Sequence, residues 1–187
     1  QGVLGAGLLA EEANDMTDLT QGDITQLKVD AIVTSANESL MGGGGVDKAV
    51  HNAAGPGLLQ ECMKIGICNP GQAVITGGHW LEVKKIIHTV GPVWDGGDYG
   101  EEDVLRSCYR ASLELAREHE LEHIAFPCIA AGVYEYPGHL AARVAVQEVQ
   151  AFLAANSNPR HVTFCCFQEQ DLEQQQEDAG PAGKPIN

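Results

Sequence analysis

Five short, nearly unbroken apolar runs punctuate the chain, and segments of helical periodicity lie between them. The runs cover residues 30–35, 73–76, 85–90, 123–127 and 162–167. Strands that are apolar at successive positions need cover on both faces. Residues 104–119 repeat Leu105, Cys108, Tyr109, Ser112 and Ala116 at helical spacing. Residues 140–153 carry a stripe of Leu140, Val144, Glu148 and Phe152, flanked by Val149 and Leu153 and interrupted by the charge of Glu148. A shorter helix is expected over 46–54, stopped by Gly55-Pro56. Alternation of this kind predicts an α/β fold with a mostly parallel sheet and helices on both faces. Ligands of such sheets bind at the carboxyl ends of the strands, so the loops leaving strands hold the function.

A length of 187 residues suits one domain, and 44% apolar residues suffice for a substantial core. The expected organisation is an N-terminal extension over 1–15, a folded domain over 16–172 and a polar tail over 173–187. The stretch after Phe167 is rich in Gln and Glu, with a short helix expected first and a disordered Gly-Pro-Ala-Gly end. No internal repeat is present. A formal charge of −15 opposes general binding to nucleic acid or to a membrane surface. It leaves room for a small anion held by aimed backbone N–H groups. Six cysteines, none in a CxxC pair, read as reduced and packed. No run reaches the length of a membrane span, and the apolar residues 3–10 lack the basic flank of a signal peptide. A cytoplasmic protein is the resulting expectation.

Residues 34–51 are the most informative loop: Thr-Ser-Ala-Asn-Glu-Ser-Leu-Met, four glycines, then Val-Asp-Lys-Ala-Val-His. The segment leaves a strand and enters a helix. Four glycines strip the loop of side chains, so backbone can approach a ligand and converge its N–H groups on an anion. The sequence lacks the Gly-Lys-Ser/Thr of a Walker loop and the GxGxxG spacing of dinucleotide folds. Asp47 and His51 are four apart and share a helix face. Asp47 can equally serve as a first-turn acid, His51 as a core histidine and Asn37 as a turn residue. A second loop of small residues, Cys128-Ile129-Ala130-Ala131-Gly132-Val133-Tyr134-Glu135-Tyr136-Pro137, follows another strand. Its two tyrosines can cover a sugar or pack locally.

Gly22-Asp23-Ile24, the loop from Ala36-Asn37 to Asp47, Ile75-Thr76-Gly77-Gly78, His88-Thr89-Val90-Gly91-Pro92 and Phe126-Pro127-Cys128-Ile129 occur in that order. Together they resemble the macro domain family, most closely its MacroD-type branch. The resemblance implies a three-layer α/β/α sandwich around a mixed, mostly parallel sheet, with ADP-ribose in a crest cleft. It implies that Asp23 accepts from the adenine amino group beside Ile24, and that Phe167 packs on adenine. The local alternatives are a turn cap for Asp23 and a strand-end core role for Phe167. Ala36, Gly43, Gly44, Gly45 and Val46 match the loop around the distal ribose and diphosphate. Ala131, Gly132, Val133 and Tyr134 match the second phosphate loop. Asn37 and Asp47 match the pair needed for hydrolysis, and His51 a supporting helix position.

The chain departs from the family pattern at three places. Thr34 stands where the family often has Asn, Ala130-Ala131 lacks two hydroxyls, and Glu135 replaces a glycine. Glu135 would weaken diphosphate binding if it faced the cleft. No Cys or His lies between Asn37 and Asp47, where a zinc-dependent branch carries them, so no metal and no other cofactor is expected. The function implied is that of a monomeric hydrolase of ADP-ribosyl esters, acting on ADP-ribosylated Asp or Glu of proteins or on O-acetyl-ADP-ribose. The alternatives are a reader that binds ADP-ribose without cleaving it and a phosphatase of ADP-ribose 1″-phosphate.

Overall fold

The protein is described by a computed structural model over residues 16–166, the last of them without its side chain. The expected extension, the tail and Phe167 lie outside the described residues. Six strands form one sheet: β1 (Thr17–Gln21), β2 (Ala31–Ser35), β3 (Ala73–Gly77), β4 (Lys85–Thr89), β5 (His123–Phe126) and β6 (His161–Cys166). Their order is β1-β6-β5-β2-β4-β3. Every pairing is parallel except β3 with β4, so the sheet is mixed and mostly parallel. The helices are α1 (Gly45–Ala54), α2 (Pro56–Ile65), α3 (Glu101–Glu118) and α4 (Gly138–Ala155). No described helix is long and apolar enough to cross a membrane.

The unbroken apolar runs are explained by two separate cores. Neighbouring strand residues point to opposite faces, and here each face is covered. Ala31, Val33, Ile87, Ile124 and Phe126 pack with Leu105, Tyr109, Ala145 and Val149 of α3 and α4. Ile32, Ile86 and Ala125 pack on the other side with Val50 and Ala54 of α1 and Leu58 and Cys62 of α2. This is the three-layer sandwich.

All five expected strands form within one residue of their expected bounds. Helix α3 begins three residues early, because Glu101, Glu102 and Asp103 suit the positive end of its dipole. Strand β1 was not anticipated: it is a half-exposed edge, Thr-Asp-Leu-Thr-Gln, with no apolar run to mark it. Helix α2 was missed for a different reason. Gly55-Pro56 stops α1 as expected, but the same proline occupies the first turn of α2, where its missing N–H costs nothing. On α4 the packing face is centred on Ala141, Ala145 and Val149. Glu148 sits beside it and accepts from Arg106 at 3.1 Å and Arg110 at 3.0 Å of α3. The charge that interrupts the α4 stripe is therefore a tie between two helices.

Strands β1, β6, β5 and β2 are successive neighbours. Their carboxyl ends bring three loops side by side: the turn at Gly22–Ile24, the glycine loop after β2 and the small-residue loop after β5.

Candidate functional site

The glycine loop and the β5 loop face each other across a cavity of about 590 Å³. That size falls in the range of small-molecule sites. Ala36, Asn37, Gly43, Gly44, Gly45 and Val46 form one wall, and Ala130, Ala131, Gly132, Val133 and Tyr134 the other. A narrow continuation is lined by Gly22, Asp23, Ile24 and Ala49, with Val46 and Cys165 shared between the two spaces. The structure thus brings together the described residues expected to hold a ligand. Ser35, Pro127, Cys128, Gly138 and Cys165 also line the cleft. Cys165 carried no signal of this in the sequence, because strand order alone makes β2, β5 and β6 adjacent.

Helix α1 starts at the cavity with Gly44 as its N-cap, and no side chain caps it. The first N–H groups of a helix have no partner within it. Those of Gly45 and Val46 therefore stand at the cleft as donors, at the positive end of the helix dipole. Gly44 has extended backbone, and a Cβ there would stand 3.6 Å from Val133 Cγ2. The two loops approach each other that closely because one lacks side chains.

Asn37 lies in the cleft wall. Its Nδ2 donates to the Gly42 carbonyl at 3.2 Å, and its Oδ1 accepts from Ser39 Oγ at 3.1 Å. These bonds fix the carboxamide between strand and loop.

Asp47 is placed differently from what a water-activating acid requires. It is 0% exposed and does not line the cavity. Its Oδ2 accepts from the Gly43 N–H at 2.7 Å, and its Oδ1 from Thr34 Oγ1 at 2.9 Å. His51 Nε2 stands 3.8 Å from Oδ1, too far for a hydrogen bond. Burial raises the carboxyl pKa above its ordinary 3.8, while His51, the Thr34 hydroxyl and the Gly43 N–H act in the opposite direction. Both contacts are accepted by the carboxyl oxygens, which favours the carboxylate. Thr34 supplies a donor to the buried acid from the floor of β2.

His51 also stays out of the cavity and packs behind Gly42. Asp23 is exposed, and its Oδ1 accepts from the Thr25 N–H at 2.9 Å and the Thr25 hydroxyl at 2.7 Å. It caps the turn Ile24–Gln26 and stands at the narrow end of the cleft at once. Glu135 is exposed, has a φ of 60° and does not line the cavity. The glycine it replaces had no side chain to lose from the cleft. Among the described cysteines, Cys62, Cys68, Cys108 and Cys165 are free thiols.

A macro domain family model matches residues 33–145. A macro domain-containing protein of Methanosarcina mazei is 50% identical over 161 residues, covering 86% of this chain and 86% of its own. An O-acetyl-ADP-ribose deacetylase of Salmonella gallinarum is 53% identical over 154 residues, covering 80% of this chain and 86% of its own. Among solved structures, the Trypanosoma brucei macrodomain in complex with ADP-ribose superposes with a TM-score of 0.83 at 40% identity, covering 88% of this chain and 69% of that one. The Oceanobacillus iheyensis macrodomain gives a TM-score of 0.81 at 42% identity, covering 86% and 88%. With a fold, a cleft and a relatedness of this extent, the chain belongs to the macro domain family.

Proposed function

We propose that this chain binds ADP-ribose in the cleft and hydrolyses esters at its distal ribose, O-acetyl-ADP-ribose and ADP-ribosylated carboxylates being the substrate class. The observation that carries the reading is the Asn37–Gly43–Asp47 arrangement at the start of α1. Diphosphate oxygens meet the free N–H groups of Gly45 and Val46, and the distal ribose lies against Asn37, whose carboxamide orients its hydroxyls. Water adds to the ester carbonyl carbon, the acyl–oxygen bond breaks, and a carboxylate, a ribose hydroxyl and one proton result. Asp47 acts on this step through the loop: its carboxylate holds the Gly43 N–H and so fixes the backbone against which the sugar rests. Asp47 does not line the cavity, so the substrate diphosphate takes the proton from water. The deacetylase relative, at 53% identity, supports the same chemistry.

The burial of Asp47 favours one second reading, a module that binds ADP-ribose without cleaving it. Turnover of O-acetyl-ADP-ribose by the wild type and by Asn37→Ala separates the two. The hydrolase reading expects product from the wild type and a loss of about 10²-fold in the variant, the cost of misplacing a bound substrate. Tight calorimetric binding with no product from the wild type would establish the reader instead.

A further inference from the structure

Behind the cleft, on the far side of Asp47, three side chains left unused by the proposed reaction come together. His51 of α1, Cys62 of α2 and His88 of β4 each bring one donor atom, and the three atoms lie within 4.8 Å of one another. Cys62 and His88 are fully buried, and the His51 side chain is 14% exposed.

The Thr76 hydroxyl lies 2.9 Å from His88 Nε2, and 3.2 Å and 3.5 Å from the Gly77 and Ile86 carbonyls, to which it can give its hydrogen. With the ring proton on Nε2, His88 donates to Thr76, and Nδ1, which is buried and without a protein partner, presents a lone pair. Burial also keeps this ring neutral, with its pKa pushed down to about 3. His51 Nε2 is likewise buried and without a protein partner. A buried polar atom normally has a hydrogen-bond partner, and two neighbouring exceptions call for a physical reason.

We propose that His51, Cys62 and His88 form a binding site for a borderline-soft divalent cation such as Zn²⁺. Two imidazoles and a thiol are a donor set that such ions select. Asp47 Oδ1, 3.8 Å from His51 Nε2, can complete a tetrahedron while keeping its bond from Thr34. Thr76 is the outer partner that orients His88, an arrangement common at metal-bound histidines. Ligand atoms around a tetrahedral ion stand roughly 3.3–3.7 Å apart, so the triangle contracts by about 1 Å on binding, within reach of side-chain rotation. Burial and the nearby carboxylates of Asp47 and Glu61 push the Cys62 thiol up to about 11. A cation reverses this: the sulfur–metal bond forms, and the thiol proton leaves to solvent. The partly exposed edge of His51 is the way in. The expectation of no metal rested on the segment between Asn37 and Asp47; these ligands come from three other places in the chain.

Chelator-treated, reduced protein titrated with Co²⁺ provides the test. The expected result is one ion per chain with a thiolate-to-cobalt charge-transfer absorption, displaced by Zn²⁺ with release of one proton on cobalt binding. Cys62→Ser abolishes the charge-transfer band, and His88→Gln weakens cobalt binding by about 10-fold or more. Should either variant fail to fold, anomalous scattering from crystals of the wild type grown with Zn²⁺ gives an independent readout: one zinc peak between His51, Cys62 and His88. Cobalt binding without the band, equal binding by folded Cys62→Ser, or no zinc peak among these three side chains would each overturn the site.

Discussion

In the proposed reaction, Asp47 acts without touching substrate. Its carboxylate is fully buried, with one oxygen on the glycine loop and the other on β2. A positioning role and a general-base role predict different variants. Asp47→Asn can still accept from Gly43 through its carbonyl, while Thr34 rotates to accept from the amide. Turnover within about 10-fold of wild type is expected for Asn, against a loss of about 10²-fold or more for Ala. A general base would lose equally in both. The pH profile adds a readout that a merely structural role would not move. Burial raises the Asp47 pKa, so the carboxylate forms only above the ordinary range, and wild-type turnover climbs with pH through a limb displaced upward from 3.8. Thr34→Val removes a donor that stabilises the charge, so its limb moves further up; Asp47→Asn removes the limb. A limb unmoved by Thr34→Val would sink the assignment. Thr34 was legible in the sequence only as a departure from the family pattern. Its partner stands 13 positions away, across a loop whose path no local pattern encodes.

At the scale of elements, two glycines separate what the fold needs from what the cleft needs. Gly78 follows β3 at the turn into β4, and a Cβ built there would overlap the Val83 carbonyl oxygen. The obstacle is backbone, which cannot step aside as a side chain can. Gly78→Ala is expected to destabilise the chain by about 3 kcal/mol or more, read from denaturant unfolding. Gly44→Ala places its Cβ at ordinary contact distance from Val133 on an extended backbone. Its stability should stay within about 1 kcal/mol of wild type, while ADP-ribose affinity falls as the cleft narrows. An unfolding midpoint for Gly78→Ala equal to wild type would refute the collision. In the sequence Gly44 reads as a ligand-loop glycine and Gly78 as part of the Ile75-Thr76-Gly77-Gly78 motif, but spacing reports neither the neighbour across a hairpin nor the opposite wall of a cleft. Strands β2 to β6 and α3 were legible because apolar strands and a buried helix stripe write themselves into residue spacing. Strand β1 and helix α2 were not: β1 is Thr-Asp-Leu-Thr-Gln, an edge with a single apolar residue, and Gly55-Pro56 serves one helix end and the next helix start.

For the molecule as a whole, the formal charge is −15, yet the described cleft-lining residues include no Lys or Arg. An anionic ligand is therefore repelled at long range and held at short range by backbone donors and a helix end. Screening weakens the first and barely touches the second. The association rate of ADP-ribose, followed by stopped flow, is expected to rise severalfold between roughly 10 mM and 150 mM salt. A rate that falls with salt would point to a cationic patch steering the ligand instead. Parallel pairing of β1, β6, β5 and β2 gathers three distant loops at one edge of this acidic body. What the sequence determined by itself was the layering and the two small-residue loops: side-chain direction along strands and helices follows from backbone geometry over a few residues. Only the tertiary structure decided that Asp47 lies behind its loop, that Glu135 stays out of the cleft and that His51, Cys62 and His88 meet. Those relations join residues through strand order and helix docking, which many sequences with the same local periodicities could satisfy in other ways.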